Sequence, residues 1–276
     1  MLSPAAPANP SGGAAGVLAA LLEARTGQML AHDRAWRIDT ALKPLLRERG
    51  LDGLDALVRE LLGGEDPTLA DRIVDALLNQ ETSFFRDAAA FDQVGDVLAA
   101  AGGGRLRVWS AGCSTGQEPL SLAMLLAERG LDFEILATDV SDGALARARQ
   151  ARYTQFEIQR GLPIRRMLRW FESADLDWRA KPELMRHINF RRVNLVADAR
   201  PAGRYDLVLC RNVLLYLAPA QRAAVFDKLA AALKPGGLLL LGAGETVIGR
   251  TDALVPSARH RGLYERGDHP GERAAA

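Results

Sequence analysis

Cysteine is scarce in this chain: Cys113 and Cys210 are the only two among 276 residues, so neither a disulfide framework nor a paired CxxC zinc site is available. Histidine is almost as rare, and His32, His187, His260 and His269 form no HExxH or HxxxH cluster, so no metal centre is expected. Excess charge of one sign is missing as well. With 35 Lys and Arg against 34 Asp and Glu, the net charge of +1 argues against a protein whose main partner is nucleic acid. Long hydrophobic runs are absent; the longest, near 237–243, falls far short of the roughly 20 residues of a membrane-spanning helix. The first ten residues lack the basic start and apolar run of a secretory signal. These absences predict a cytoplasmic, reduced protein with no membrane insertion.

What is present is the profile of a globular protein, 48% hydrophobic and 25% charged, long enough for one large domain or for a small domain beside one of typical size. Residues 1–15 are rich in Pro, Ala and Gly and read as a disordered tail, and 268–276 as a flexible one. Residues 16–101 carry helical periodicity throughout. Thr26-Gly27 ends a first helix, Gly50 a second over 33–49 that contains Pro44, and Gly63-Gly64 a third, while Pro67 suits the first position of a fourth. After Gly102-Gly103-Gly104 the period changes. Short apolar runs at 106–110, 134–137, 188–193, 205–210 and 238–241 alternate with helical stretches at 118–129, 142–149 and 219–233. That alternation predicts a doubly wound, mainly parallel α/β sheet over 105–267. The stretch from Tyr153 to Met185 is irregular, and between Ala144 and Arg192 there are 12 basic residues against 5 acidic ones.

The chemistry gathers where strands end. Ala111-Gly112-Cys113-Ser114-Thr115-Gly116 follows the first strand, and its small residues let backbone approach a ligand. Such a turn is equally a steric device of many folds. Asp139, 23 residues after Gly116 at the end of the second strand, is placed to accept the two hydroxyls of an adenosine ribose, with Ser141 as the alternative helix cap. Glu118, just inside the following helix, would oppose a pyrophosphate but suits an α-ammonium group. That pair favours S-adenosylmethionine over a dinucleotide. Asn194-Leu195 follows the third strand. Tyr205 to Cys210 leads into Arg211-Asn212-Val213-Leu214-Leu215-Tyr216 at the crevice where such sheets bind ligands. Phe84-Phe85-Arg86-Asp87, taken as a pattern, reads as a packing plug.

The set ETSFFRD, WSAGCSTGQEPLSLAM, ATDVS, VNL, YDLVLCRNVLLYL and LKPGGLLLLGAGE, in that order, resembles the CheR family of chemotaxis-receptor methyltransferases over nearly the whole chain. The resemblance implies a Rossmann-like class I S-adenosylmethionine methyltransferase domain, a small all-α N-terminal domain, and a short β-subdomain near 171–190. It implies transfer of a methyl group from S-adenosylmethionine, leaving S-adenosylhomocysteine, to glutamate side chains of a receptor's helical bundle. Carried residue by residue, Gln80, Thr82, Arg86, Gly112, Glu118, Asp139, Asn194, Leu195, Cys210, Arg211 and Asn212 would surround the cofactor, with Arg86 and Tyr216 beside the transferred methyl. Arg34, Arg37, Lys43 and Arg47, on the second helix, would dock the receptor.

The chain departs from the family pattern in that Gln80 stands where Asn is common, and Gln117 and Leu120 replace Glu and Tyr. The segment FESADLDWRAKPE lacks a glycine-rich loop, which implies no tethering to a C-terminal receptor pentapeptide. A monomer is expected. A carboxylate is already ionised at neutral pH, so the nucleophile needs no general base. The alternatives are a non-catalytic S-adenosylmethionine sensor or scaffold, and a methyltransferase for another substrate. Base methylation fits poorly, because Cys210-Arg211-Asn212-Val213 stands where an Asn/Asp-Pro-Pro-aromatic motif would be.

Overall fold

The computed structural model describes residues 13–30 and 36–267. The expected tail segments 1–12 and 268–276, and the docking candidate Arg34, lie outside the described residues. Two compact units divide the chain between Asn79 and Gln80.

The first unit is helical: α1 (Ala14–Thr26), α2 (Trp36–Arg49), α3 (Leu54–Gly63) and α4 (Leu69–Leu77). Helix α1 starts at Ala14, inside the expected tail, and ends on Gly27 in the left-handed conformation. Pro67 lies in the turn before α4 instead of opening it, and Thr68 takes the N-cap position. Pro44 lies within α2. Helix α1 packs on α3 and α4, and α2 on α3 and α4. Leu18, Leu22, Ile38, Leu42, Leu57, Leu69 and Ile73 are buried between them. Arg49 is committed to this packing, bonding Glu60 at 2.7 Å and Asp66 at 2.8 Å.

The second unit opens with α5 (Ala88–Ala101) and then alternates: β1 (Leu106–Ala111), α6 (Gln117–Glu128), β2 (Phe133–Asp139) and α7 (Asp142–Gln150). After an intervening subdomain come β6 (Ile188–Arg192), β7 (Tyr205–Cys210), α11 (Pro219–Ala232), β8 (Leu233–Leu241), β9 (Leu254–Pro256) and β10 (Tyr264–Arg266). The sheet order is β6-β2-β1-β7-β8-β10-β9; β10 runs antiparallel to both neighbours, and the other neighbouring pairs are parallel. The strand order therefore reverses between β1 and β7, the kind of switch point at whose carboxyl edge sheets of this type bind ligands. This is the doubly wound α/β architecture expected. Strand β8 begins earlier than its apolar run, at Leu233, and carries an irregularity opposite Tyr205 and Leu207.

The sheet's pleat divides the core. Leu106, Val108, Leu207, Leu209, Leu238 and Leu240 bury on the α5 and α6 side, whereas Trp109, Ala111, Val208, Cys210, Leu239 and Leu241 bury on the α11 side. Covered on both faces, these strands read as continuous apolar runs rather than alternating ones. Helix α5, grouped by its periodicity with the N-terminal helices, falls in the second unit. Its Phe91, Val94 and Leu98 belong to the same core as Leu120, Leu122 and Met124 of α6.

The β-subdomain is larger than the expected 171–190. It is a three-stranded antiparallel sheet, β3-β5-β4, made of β3 (Arg152–Thr154), β4 (Phe171–Ala174) and β5 (Asp177–Ala180). Short helices α8 (Gln155–Gln159) and α9 (Ile164–Trp170) lie between β3 and β4, and α10 (Pro182–Met185) follows β5. Strands β4 and β5 are joined by Asp175 and Leu176 alone, since Ala174 pairs with Asp177. Strand β3 has no apolar run of its own, which hides it from a periodicity argument. Among the described residues no helix is long and apolar enough to cross a membrane.

Candidate functional site

The carboxyl ends of β1, β2 and β7 form one edge of the sheet, and the candidate residues gather there. The loop after β1 is shaped by positive φ at Gly112 (86°), Ser114 (49°) and Gly116 (94°). The amides of Gly112 and Cys113 both donate to Thr138 O, at 2.8 and 2.9 Å, which binds the loop to the end of β2. Gly112 has a second reason to be glycine: a Cβ there would sit 2.4 Å from Val213 Cγ2. The loop after β1 thus lies directly against the loop after β7.

Asp139 stands at the end of β2 as expected. Its Oδ2 accepts the Ser114 amide at 2.8 Å and its Oδ1 the Ser141 amide at 3.0 Å. Ser141 supplies the cap of α7, accepting from the Ala144 amide. Gln80 joins this group: its Nε2 donates to Ser141 Oγ at 3.2 Å, and its carbonyl accepts from Ser114 Oγ at 3.1 Å.

Glu118 lies in the first turn of α6, nearly buried, and accepts from Ser110 Oγ at 2.8 Å. Burial raises its pKa above the ordinary carboxylate range, and Glu245 adds to that. Arg211 and the Ser110 hydrogen bond pull the other way. A buried carboxylate with one cationic partner 3.4 Å away is suited to a second cation such as an α-ammonium. Gln117 and Leu120, the two departures from the family pattern in this loop, are both buried. Gln117 Oε1 accepts from Thr115 Oγ1 at 2.8 Å, a place where a neutral amide avoids burying another anion.

The turn Phe84-Phe85-Arg86-Asp87 is both a plug and a holder. Phe84 is buried edge-on against Tyr153 and Phe171, and Phe85 against Phe91. Arg166 lies 4.3 Å over the Phe85 ring and pairs with Glu128. Phe85 (φ 48°) and Asp87 (φ 61°) are left-handed, a conformation costing about 1–3 kcal/mol each for non-glycine residues and tolerated only when the surroundings impose it. Ser121 Oγ accepts the Phe85 amide at 2.9 Å. Arg211 imposes the rest. Its Nη2 donates to Arg86 O at 2.8 Å and to the Asp87 carboxylate, its Nη1 points to Glu118, and Phe91 lies beneath its guanidinium. Its Nε is buried without a partner. The Arg86 side chain remains half-exposed, as does Thr82.

Tyr216 closes the 3-10 turn Leu214–Tyr216 and is half-buried. Asn194 caps its own turn, with Oδ1 accepting from Val196 and Ala197. Leu195 is held through its carbonyl by Lys228 Nζ at 3.0 Å. Cys113 and Cys210 are buried in different clusters of the core, and burial pushes both thiols up, so they behave as small apolar residues. Sequence reasoning missed Ser110, Lys228 and Glu245, and took Ser114 only as a small residue of the loop. Only Glu245 had a visible cue, an acid directly after the glycine-rich end of a buried strand.

Residues 80–261 match the family described as "CheR methyltransferase, SAM binding domain". The chain belongs to the CheR family. It is similar to "Chemotaxis protein methyltransferase 1" of Vibrio cholerae, at 36% identity over 84% of this chain and 88% of that protein. It is also similar to "Chemotaxis protein methyltransferase 1" of Pseudomonas aeruginosa (33% identity, 82% and 87%) and to "Chemotaxis protein methyltransferase" of Listeria monocytogenes (34% identity, 68% and 73%). Among solved structures, a TehB-like SAM-dependent methyltransferase from Corynebacterium glutamicum matches with a TM-score of 0.36 and 17% identity, over 58% of this chain and 70% of that one. The residues matched to the CheR description run from Gln80 to Arg261, so all the site residues described above fall within them, and the chain is a SAM-dependent methyltransferase.

Proposed function

We propose that this CheR-family protein methylates glutamate side chains on the cytoplasmic helical bundle of a chemoreceptor, forming methyl esters. The observation that carries the reading is the Arg211 tie. One buried guanidinium links Glu118, suited to a cofactor ammonium, to the turn that presents Arg86. The acceptors fit S-adenosylmethionine. Glu118 would hold its ammonium, Asp139 its ribose, and Gln80, Thr82, Gly112, Asn194, Leu195, Cys210 and Asn212 would line the remainder. When bound, this cofactor supplies an electrophilic methyl group on a sulfonium that leaves as a neutral thioether.

What the chain's own residues contribute is alignment and exclusion of water, effects worth several kcal/mol when the geometry is held rigidly. Arg86 orients the incoming carboxylate and Tyr216 donates one hydrogen bond to it. Arg86→Ala and Tyr216→Phe are each expected to cut methyl transfer by about 10²-fold, the order of loss when the reacting atoms are misaligned by about an ångström. The check is transfer of labelled methyl to a receptor fragment, with the label released by mild base as an ester requires. Full transfer by both variants would remove these two roles, and a base-stable product would remove the glutamate ester.

Docking of the receptor falls to α2. Lys43 and Arg47 are exposed, Arg37 is half-buried, and Trp36, Thr40, Lys43 and Arg47 recur at a spacing that shares one helix face. That face suits a glutamate-bearing helix. Lys43→Glu with Arg47→Glu is expected to raise KM for the receptor about tenfold or more and to leave kcat nearly unchanged, and added salt should weaken the wild type in the same direction. A KM unmoved by both changes would remove α2 as the dock. The two-residue turn at Asp175 and Leu176 leaves little loop for gripping a receptor tail, which supports action without a pentapeptide tether.

A further inference from the structure

We propose that Glu245, a residue outside the cofactor and substrate sets above, is a positioning residue that sets the active loop after β7. The inference rests on the methyl-transfer reading of the same site. Glu245 ends the glycine-rich turn that follows β8. Its Oε2 accepts the Asn212 amide at 2.7 Å and the Gly242 amide at 2.9 Å. Its Oε1 accepts the Val213 amide at 3.0 Å and the Leu214 amide at 2.9 Å, with Leu215 at 3.4 Å. One carboxylate therefore gathers the consecutive amides of 212–215, all of which lack a strand or helix partner where the chain leaves β7.

The consequence is local shape. Asn212 is left-handed at φ 58°, a conformation that turns its amide and the next ones toward a common centre, and only an acceptor with several lone pairs satisfies them together. Two residues on, the chain enters the 3-10 turn that ends in Tyr216, whose amide donates to Val213 O at 3.1 Å. The carboxylate thus sets the start of the turn and, through it, the direction of the Tyr216 side chain. Gly242 shows how tightly the arrangement is closed. A Cβ at that position would lie 2.8 Å from Asn212 Nδ2, 2.9 Å from its backbone N and 2.9 Å from Glu245 Oε2. Among the described residues, the hydrogen bonds to the Glu245 carboxylate all come from the loops after β7 and β8, and its charge also bears on Glu118.

Glu245→Gln separates charge from size. The amide keeps the shape, but turns one of its two arms into a donor facing other donors. In the full-length protein, with a chemoreceptor cytoplasmic fragment as substrate, this variant is expected to lose at least tenfold in kcat. Its affinity for S-adenosylhomocysteine should fall by less than kcat does, because, of the cofactor-lining residues, only Asn212 is held by this carboxylate, and its far-ultraviolet circular dichroism should be unchanged. Because Glu245 acts through Tyr216, adding Tyr216→Phe to Glu245→Gln should cost far less than Tyr216→Phe alone. Glu245→Asp, which keeps the carboxylate on a shorter arm, should fall between wild type and Gln.

A Gln variant within twofold of wild-type kcat overturns the inference, as does a double variant whose losses multiply. So does a fall in cofactor affinity that matches the fall in kcat. If the Gln variant does not fold, the Asp variant carries the test, and full kcat there overturns it. A wild-type protein that binds the cofactor but methylates no receptor glutamate removes the functional reading instead.

Discussion

Arg211→Leu is expected to destabilise the second unit by about 3–5 kcal/mol and to abolish measurable cofactor binding. Removing one partner of a buried ion pair leaves the other charge uncompensated, and that penalty exceeds the worth of the pair itself. Here the guanidinium side chain is 2% exposed, the Glu118 side chain 11% and that of Asp87 44%, so most of the cost falls on Glu118. The same substitution frees the Arg86 carbonyl and lets the strained Phe85 and Asp87 relax. Chemical denaturation followed by circular dichroism, with calorimetric titration of S-adenosylhomocysteine, measures both effects. A loss under about 1 kcal/mol, the ordinary range for an exposed pair, would show that the tie is ornamental.

Glu118→Gln is expected to weaken S-adenosylmethionine about 10–100-fold, the worth of roughly 1.5–3 kcal/mol for a hydrogen bond to a charged group. The wild type should show a pH dependence that the variant lacks. Burial raises the Glu118 pKa, and a cationic ammonium is held by the ionised form. Affinity should therefore fall as pH falls, starting above the usual carboxylate range, and approach about tenfold per pH unit once one linked proton is bound. Stability runs the other way. An acid whose pKa is higher in the folded state binds its proton more tightly there, so its contribution favours folding at low pH and is lost as pH rises through the folded value. Titrations of the cofactor product with wild type and Glu118→Gln, from neutral pH down through the carboxylate range, where its ammonium stays charged, check this. A pH dependence that is the same in wild type and Glu118→Gln would mean that Glu118 does not hold the ammonium.

Much of this site was readable along the chain. The loop after β1, Asp139 at the end of β2 and Glu118 in the first turn of α6 follow from local rules: small residues in a tight turn, an acid after a buried strand, an acid at a helix start. Ser141 as the cap of α7 follows from the same rules. The turn Phe84-Phe85-Arg86-Asp87 shows where they stop. As a pattern it is a packing plug, and its two rings do pack. Its link to the crevice depends on Arg211, more than a hundred positions away. The full extent of the β-subdomain escaped for a related reason: β3 is three residues long and draws its partner from the far side of two short helices.

The sequence by itself determined the alternation of strands and helices, and with it a doubly wound parallel sheet. It also determined which loops come to the sheet's carboxyl edge, because hydrophobic period and turn residues act over a few positions. Tertiary structure decided which charged groups meet. Arg211 joins Glu118 and Asp87, Glu245 closes over the amides of 212–215, and α5 joins the core of the larger unit. Such pairings depend on strand order and register, which bring distant residues within hydrogen-bond reach. In a buried crevice, each unpaired charge or amide carries a penalty of kilocalories, so the contacts that local sequence leaves unspecified are the ones that hold the site together.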